Sequence, residues 1–161
     1  MVIKKYIRNM YLKKYIAALL LIVLSVTANA QMESPVKWTF AAKKKADKTY
    51  EVVATASLPK TWHIYSQATP KGGPVPTKLT FKKNPLLIID GVAKESGALK
   101  TMHDQVFDVD VKYFNDKVDF VQVVKLKTAA TTSVSGTVEY MLCNDEKCLP
   151  PTKQNFDVKL Q

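Results

Sequence analysis

The chemistry-bearing residues of this chain are its only two cysteines, Cys143 and Cys148, in the run Tyr140-Met141-Leu142-Cys143-Asn144-Asp145-Glu146-Lys147-Cys148-Leu149-Pro150-Pro151. Two thiols this close can cycle between dithiol and disulfide without remodelling the rest of a fold, one attacking a partner disulfide as thiolate and the other resolving the mixed disulfide. They can equally be a staple. A disulfide here closes a short loop, which the chain-entropy model values at only about 2 kcal/mol, near the low end of the usual range. The spacing is not Cys-x-x-Cys, and a zinc site would need two more ligands. Only His63 and His103 are available, and such a Cys₂His₂ set would draw on three separate segments. Spacing and composition alone leave structure and redox chemistry both open.

The N-terminus bears on the redox compartment. Lys4, Lys5, Arg8, Lys13 and Lys14 precede an apolar run from Ile16 to Val26, and Ala28-Asn29-Ala30 follows as a small-residue cleavage site. That pattern predicts a secretory signal peptide over residues 1–30, removed from the mature protein. The apolar run is well short of the roughly 20 residues a spanning helix needs, so a soluble, exported, periplasmic domain over residues 31–161 is expected, where disulfides form and persist.

The signal also carries five of the 24 Lys and Arg residues and none of the 14 Asp and Glu, so the formal charge of +10 falls to +5 for the mature chain. The remaining excess is spread over Lys43-Lys44-Lys45, Lys82-Lys83 and single sites. It lacks the aromatic interleaving of a nucleic-acid groove, and a solubilising lysine-rich face accounts for it. Nucleic acid is not an expected partner.

The elements that must position the cysteines read as strands. Apolar and polar residues alternate along Tyr50 to Leu58, Lys78 to Phe81, Val109 to Tyr113, Val118 to Leu126 and Val134 to Tyr140, the period of half-buried strands. Breakers stand between them at Pro59, Pro70 to Pro76, Asn84-Pro85, Asp90-Gly91, Asn115-Asp116 and Pro150-Pro151. Seven to nine short strands in one domain predict an all-β, immunoglobulin-like antiparallel β-sandwich, with a small barrel as the alternative. Nothing shows the strand-helix alternation of a thioredoxin-like fold.

The cysteine segment with its two prolines resembles the active-site hairpin of the N-terminal periplasmic domain of DsbD-type thiol:disulfide interchange proteins. Trp62-His63-Ile64-Tyr65-Ser66, followed by Gly72-Gly73-Pro74-Val75-Pro76-Thr77, is also similar to that family, and the likeness spans about Val36 to Leu160. The resemblance implies an immunoglobulin-like domain whose Cys143/Cys148 pair takes electrons from a membrane-embedded thiol reductant or a thioredoxin-like domain. It would hand them to oxidised exported proteins, as in cytochrome c biogenesis or disulfide repair, as a protein-disulfide reductase. It further implies that Phe107 caps the site and that Tyr65 and His63 wall it. Three departures stand out. The acidic pair before the cap aromatic reads here as Gln105-Val106, with Asp104 one position further off. The cysteine loop is one residue shorter than in the best-known members. The chain ends at Gln161 without a spanning segment or thioredoxin-like domain, so the donor is expected on another polypeptide.

Lys147 beside Cys148 favours a thiolate there, opposed by Asp145 and Glu146, which predicts Cys148 as the attacking sulfur. Aromatics on strands are commonly core residues, so Phe107, Tyr65 and Trp62 each have that simpler reading. His63, two residues before Tyr65, is expected on the same strand face, and His103 is expected in a surface loop. No metal, cofactor fingerprint, Ser/His/Asp set or paired-carboxylate site is read from the chain. The alternative function is a non-catalytic immunoglobulin-like binding module with a structural hairpin disulfide.

Overall fold

The structure, a computed structural model, describes residues 34–160. The expected signal peptide lies outside the described residues. Within them the chain forms strands β1 (Lys37–Ala46), β2 (Thr49–Ser57), β3 (His63–Tyr65), β4 (Lys78–Phe81), β5 (Leu87–Asp104), β6 (Val109–Leu126), β7 (Thr132–Tyr140), β8 (Leu142–Cys143) and β9 (Thr152–Leu160). All the strand pairs are antiparallel. One sheet runs β1-β2-β6-β3-β8 with β5 on the other edge of β6, and a second runs β4-β7-β9. The all-β, immunoglobulin-like expectation holds.

The alternating pattern does what it should. Along β2 the residues Tyr50, Val52, Ala54 and Ala56 are buried while their neighbours are partly open, and β7 buries Val134, Val138 and Tyr140 in the same way. These faces meet over a core that includes Phe114, Phe120, Val124 and Leu142. Trp38 packs on Tyr140 at 5.3 Å between ring centroids and Phe40 on Phe156 at 5.0 Å, so aromatics on β1 join one sheet to the other. Full burial of a large apolar side chain is worth roughly 1.5–3 kcal/mol, and these partly buried rings contribute a share of that.

Two breaker signals turn out differently from expectation. Asp90-Gly91 and Asn115-Asp116 do not end strands. They lie inside β5 and β6, which run 18 residues each. At Asp90 the register against β6 shifts before Lys94, and Gly91 has φ 70°; Asp116 has φ 59°. Residues that tolerate a left-handed backbone make irregularities that bend a long strand as readily as they make turns. Gln122, almost fully buried, donates from Nε2 to the Asp90 carbonyl at 2.8 Å, satisfying an acceptor that the register shift removes from the ladder.

The break at Asp116 positions the site. β2 pairs with β6 as far as Ser57 opposite Lys117, and Leu58 N donates to Asp116 O at 2.7 Å. The chain then leaves through a Pro59-to-Trp62 turn, closed by Trp62 N on Pro59 O at 2.9 Å, and returns as β3 beside the same edge of β6, His63 opposite Asn115. One strand edge therefore carries two partners in succession, and β3 brings its outer edge to β8, with His63 opposite Cys143.

Gly136 on β7 is required by contact. A Cβ there would run into the Thr80 carbonyl oxygen and meet the Phe156 ring at 2.7 Å. Neither a ladder carbonyl nor a packed ring yields cheaply, so Gly136→Ala is expected to lower unfolding free energy by about 1–3 kcal/mol. A denaturant midpoint unchanged from wild type would refute this.

Candidate active site: a disulfide hairpin against β3 and the β5–β6 tip

Cys143 and Cys148 face each other across an antiparallel bridge and form a disulfide. The turn between them is built by Asn144, whose Oδ1 accepts the amides of Glu146 at 3.0 Å and Lys147 at 2.8 Å. This is the local side-chain-to-backbone bonding for which asparagine is favoured in turns. Asn144 N on Lys147 O at 2.9 Å and Leu149 N on Leu142 O at 2.8 Å close the hairpin. Pro150 and Pro151, which cannot donate to a ladder, follow it as an exposed segment before β9. Cys143 is only 2% exposed, whereas Cys148 is half-buried.

The disulfide sits in a small apolar cluster of its own, apart from the main core. Tyr65, Val111 and Cys143 are its buried members, and Met102, Val109, Tyr113, Met141 and Cys148 pack against them. Period-two alternation assigns the faces: Ile64 and Leu142 go to the main core while Tyr65 and Cys143 turn to this second cluster. Tyr65 is held at both ends. Its carbonyl accepts the Thr77 hydroxyl at 2.6 Å, and its hydroxyl donates to Asp104 Oδ2 at 2.8 Å. Ser66 and Gln67, directly after it, are anchored by the Glu95 carboxylate on β5 at 2.7 Å each.

His63 shares the face of Tyr65, as the spacing predicts, with Nε2 3.2 Å from the Tyr65 hydroxyl and its ring edge-on to both Tyr65 and Tyr113. Burial lowers the His63 pKa from its ordinary value, opposed by the Asp104 and Asp145 carboxylates. Burial, then the hydrogen bond to Asp104, raises the Tyr65 hydroxyl far above its usual range, keeping it protonated.

Asp104, at the end of β5, is 6% exposed and works on two sides. While Oδ2 holds Tyr65, Oδ1 accepts the amides of Val106 at 3.0 Å and Phe107 at 3.3 Å. The β5–β6 tip that carries Phe107 is therefore tied to the floor of the cysteine site by one carboxylate. Phe107 is half-buried at that tip, and it is not among the side chains packed in the disulfide cluster; Val109, two residues on, is. Asp108 turns the tip with φ 55°. His103 lies on strand β5 rather than in a loop, exposed, its ring nitrogens 3.0 Å from Asp110 and 3.2 Å from Asp108. Those two hydrogen bonds raise its pKa. Trp62 packs on the main core.

Sequence reasoning read Asp104 only as an acidic residue displaced from the family's pair, and singled out none of Tyr113, Val111, Met102 and Met141 for the site. Only Asp104 had a readable signal, an Asx residue two and three positions before the tip amides it caps. The others were unremarkable strand residues until register brought them together.

The site is a partly exposed disulfide bridging the two arms of a hairpin in an antiparallel sandwich. The chain belongs to the family "Thiol:disulfide interchange protein DsbD, N-terminal", whose family model matches residues 29–160. Among solved structures it is similar to the N-terminal domain of Neisseria meningitidis DsbD in the reduced form, with a TM-score of 0.52 and 18% sequence identity over 81% of this chain and 91% of that one. It is also similar to the N-terminal periplasmic domain of ScsB from Proteus mirabilis, with a TM-score of 0.45 and 12% identity over 78% of this chain and 44% of that one. No curated protein matches it.

Proposed function

We propose that the domain is an exported, periplasmic electron carrier, freed from a cleaved signal peptide, that reduces disulfides in other exported proteins. In this reading the Cys143/Cys148 dithiol gives two electrons to an acceptor disulfide and is itself oxidised. A membrane-embedded thiol reductant or a thioredoxin-like domain restores it. Among the described residues no helix is long and apolar enough to cross a membrane.

The observation that carries the reading is the asymmetry of the pair within a family of interchange domains: a half-exposed Cys148 beside an almost fully buried Cys143. Exchange needs one sulfur that a partner can reach and one held ready behind it. Cys148 is then the attacking sulfur and Cys143 the resolving one. Tyr65 and His63 wall the pair, and Phe107 is the cap, moving with the tip that Asp104 secures.

The reduction potential of the pair tests this. Equilibration in graded thiol buffers is expected to give a value in the range of exchange proteins, roughly −120 to −270 mV. A value below about −300 mV would mark a structural staple and turn the domain into a binding module.

A further inference from the structure

His63 is flanked on the site face by Cys143 on β8 and by Asn115 on β6, each its direct cross-strand partner. Cross-strand partners in antiparallel pairs have Cβ atoms about 4.5–5.5 Å apart, so the imidazole is the side chain beside the buried cysteine. Its hydrogen bonds define its tautomer. The single Tyr65 hydroxyl proton is donated to Asp104 Oδ2 at 2.8 Å, which leaves the Tyr65 oxygen as acceptor toward His63 Nε2 at 3.2 Å. Nε2 therefore carries the hydrogen, and Nδ1 of the neutral ring keeps its lone pair. A buried carboxylate thus orients a histidine through a tyrosine, and that histidine stands directly across from Cys143 with one ring nitrogen unprotonated.

We propose that His63 accepts the proton of Cys143 when Cys143 resolves the mixed disulfide. The inference rests on the exchange reading and assigns the proton within it. In the first step the Cys148 thiolate attacks an acceptor disulfide, forming Cys148–S–S–R and releasing the other acceptor sulfur as thiolate. In the second, Cys143 attacks the Cys148 sulfur, its proton passes to His63 Nδ1, the Cys143–Cys148 bond forms and R–S⁻ leaves. The imidazolium then returns the proton to the departing thiolate, so the acceptor ends reduced, the pair oxidised and His63 neutral. A dithiol donor restores the pair for the next turnover.

The surroundings fit a transient imidazolium. Burial keeps the ring neutral, with its lone pair free before the step, while Asp104 and Asp145 favour the cation once it forms. Tyr113 meets the ring edge-on at 5.1 Å. Asn115, the cross-strand neighbour of His63 on β6, is uncharged. Asp104, Asp145, Tyr65, Tyr113 and Cys143 are the titratable groups around it.

The two steps separate when the reduced domain is mixed with dithiobis(nitrobenzoate). The first thionitrobenzoate is released at a rate proportional to reagent, and the second at a concentration-independent rate as Cys143 closes on Cys148. In His63→Gln the second phase is expected to slow about 100-fold at neutral pH, the size of a typical general-base contribution. The gap to wild type should close as pH rises, because a thiol that ionises unaided needs no base. The first phase should stay within a few-fold. An unchanged second phase at neutral pH, or equal slowing at every pH, would overturn the assignment. Should His63→Gln fail to fold, Tyr65→Phe keeps the imidazole but removes the oxygen that sets its tautomer. A several-fold slowing that also vanishes at high pH is expected there, and no slowing would overturn the proposal. A wild-type domain that releases no second thionitrobenzoate would instead sink the exchange reading itself.

Discussion

Cys148→Ala is expected to abolish reduction of an acceptor disulfide, lowering turnover by at least about 1,000-fold because no other thiol can begin the exchange. Cys143→Ala should behave differently. It leaves the reachable sulfur in place and removes the one behind it, so the mixed disulfide forms and cannot resolve. A covalent adduct with an acceptor, visible as a mass shift on a non-reducing gel and lost on adding dithiothreitol, is the expected result. The difference in burial, with Cys143 2% exposed and Cys148 half-buried on the opposite arm of the hairpin, is the reason for assigning the roles this way round. Capture through Cys143 in the Cys148→Ala chain, and none in the other, would reverse the assignment. Both variants should fold, since the short loop contributes only about 2 kcal/mol when closed and the main core does not depend on it.

Asp104→Ala is the second large effect. Its carboxylate accepts three hydrogen bonds, from the Tyr65 hydroxyl and the amides of Val106 and Phe107. Removing it takes the carboxylate from a fully buried Tyr65 hydroxyl, leaving only the longer contact to His63 Nε2, and releases the tip amides to water. A hydrogen bond to a charged group is worth about 1.5–3 kcal/mol, and a buried donor left alone costs about 1–3 kcal/mol. Because the tip amides can find solvent, the loss should be about 2–4 kcal/mol of unfolding free energy, read from a denaturant midpoint at constant slope. Asp104→Asn keeps an acceptor oxygen for the tip and should lose distinctly less. Hydrogen exchange supplies a second measure: protection at Val106 and Phe107 should drop in Asp104→Ala before any change in β7 or β9. If the two substitutions destabilise equally and tip protection is unaltered, the carboxylate does not tie the tip to the site.

What the chain declares by itself is local. Period-two alternation from Tyr50 to Leu58 and from Val134 to Tyr140 is a direct consequence of side chains pointing to opposite faces of a pleat, so strands and an all-β class follow without any tertiary information. The cysteine hairpin is local too, because the four intervening residues, Asn144 among them, and two prolines specify a turn among near neighbours. His63 and Tyr65 on one face follow from the same periodicity. Tertiary structure decided everything that depends on register between distant strands. Asp90-Gly91 and Asn115-Asp116 are turn formers by type, and only the pairing of β5 with β6 over most of their length makes them bends instead. Asp104 lies 39 residues from the hydroxyl it holds, and His63 reaches Cys143 only because β6 changes partner at Asp116 and seats β3 between itself and β8. A hydrogen-bond chain from carboxylate to phenol to an imidazole across from Cys143 is a product of strand order. Periodicity along one segment carries no record of which strand will lie beside it.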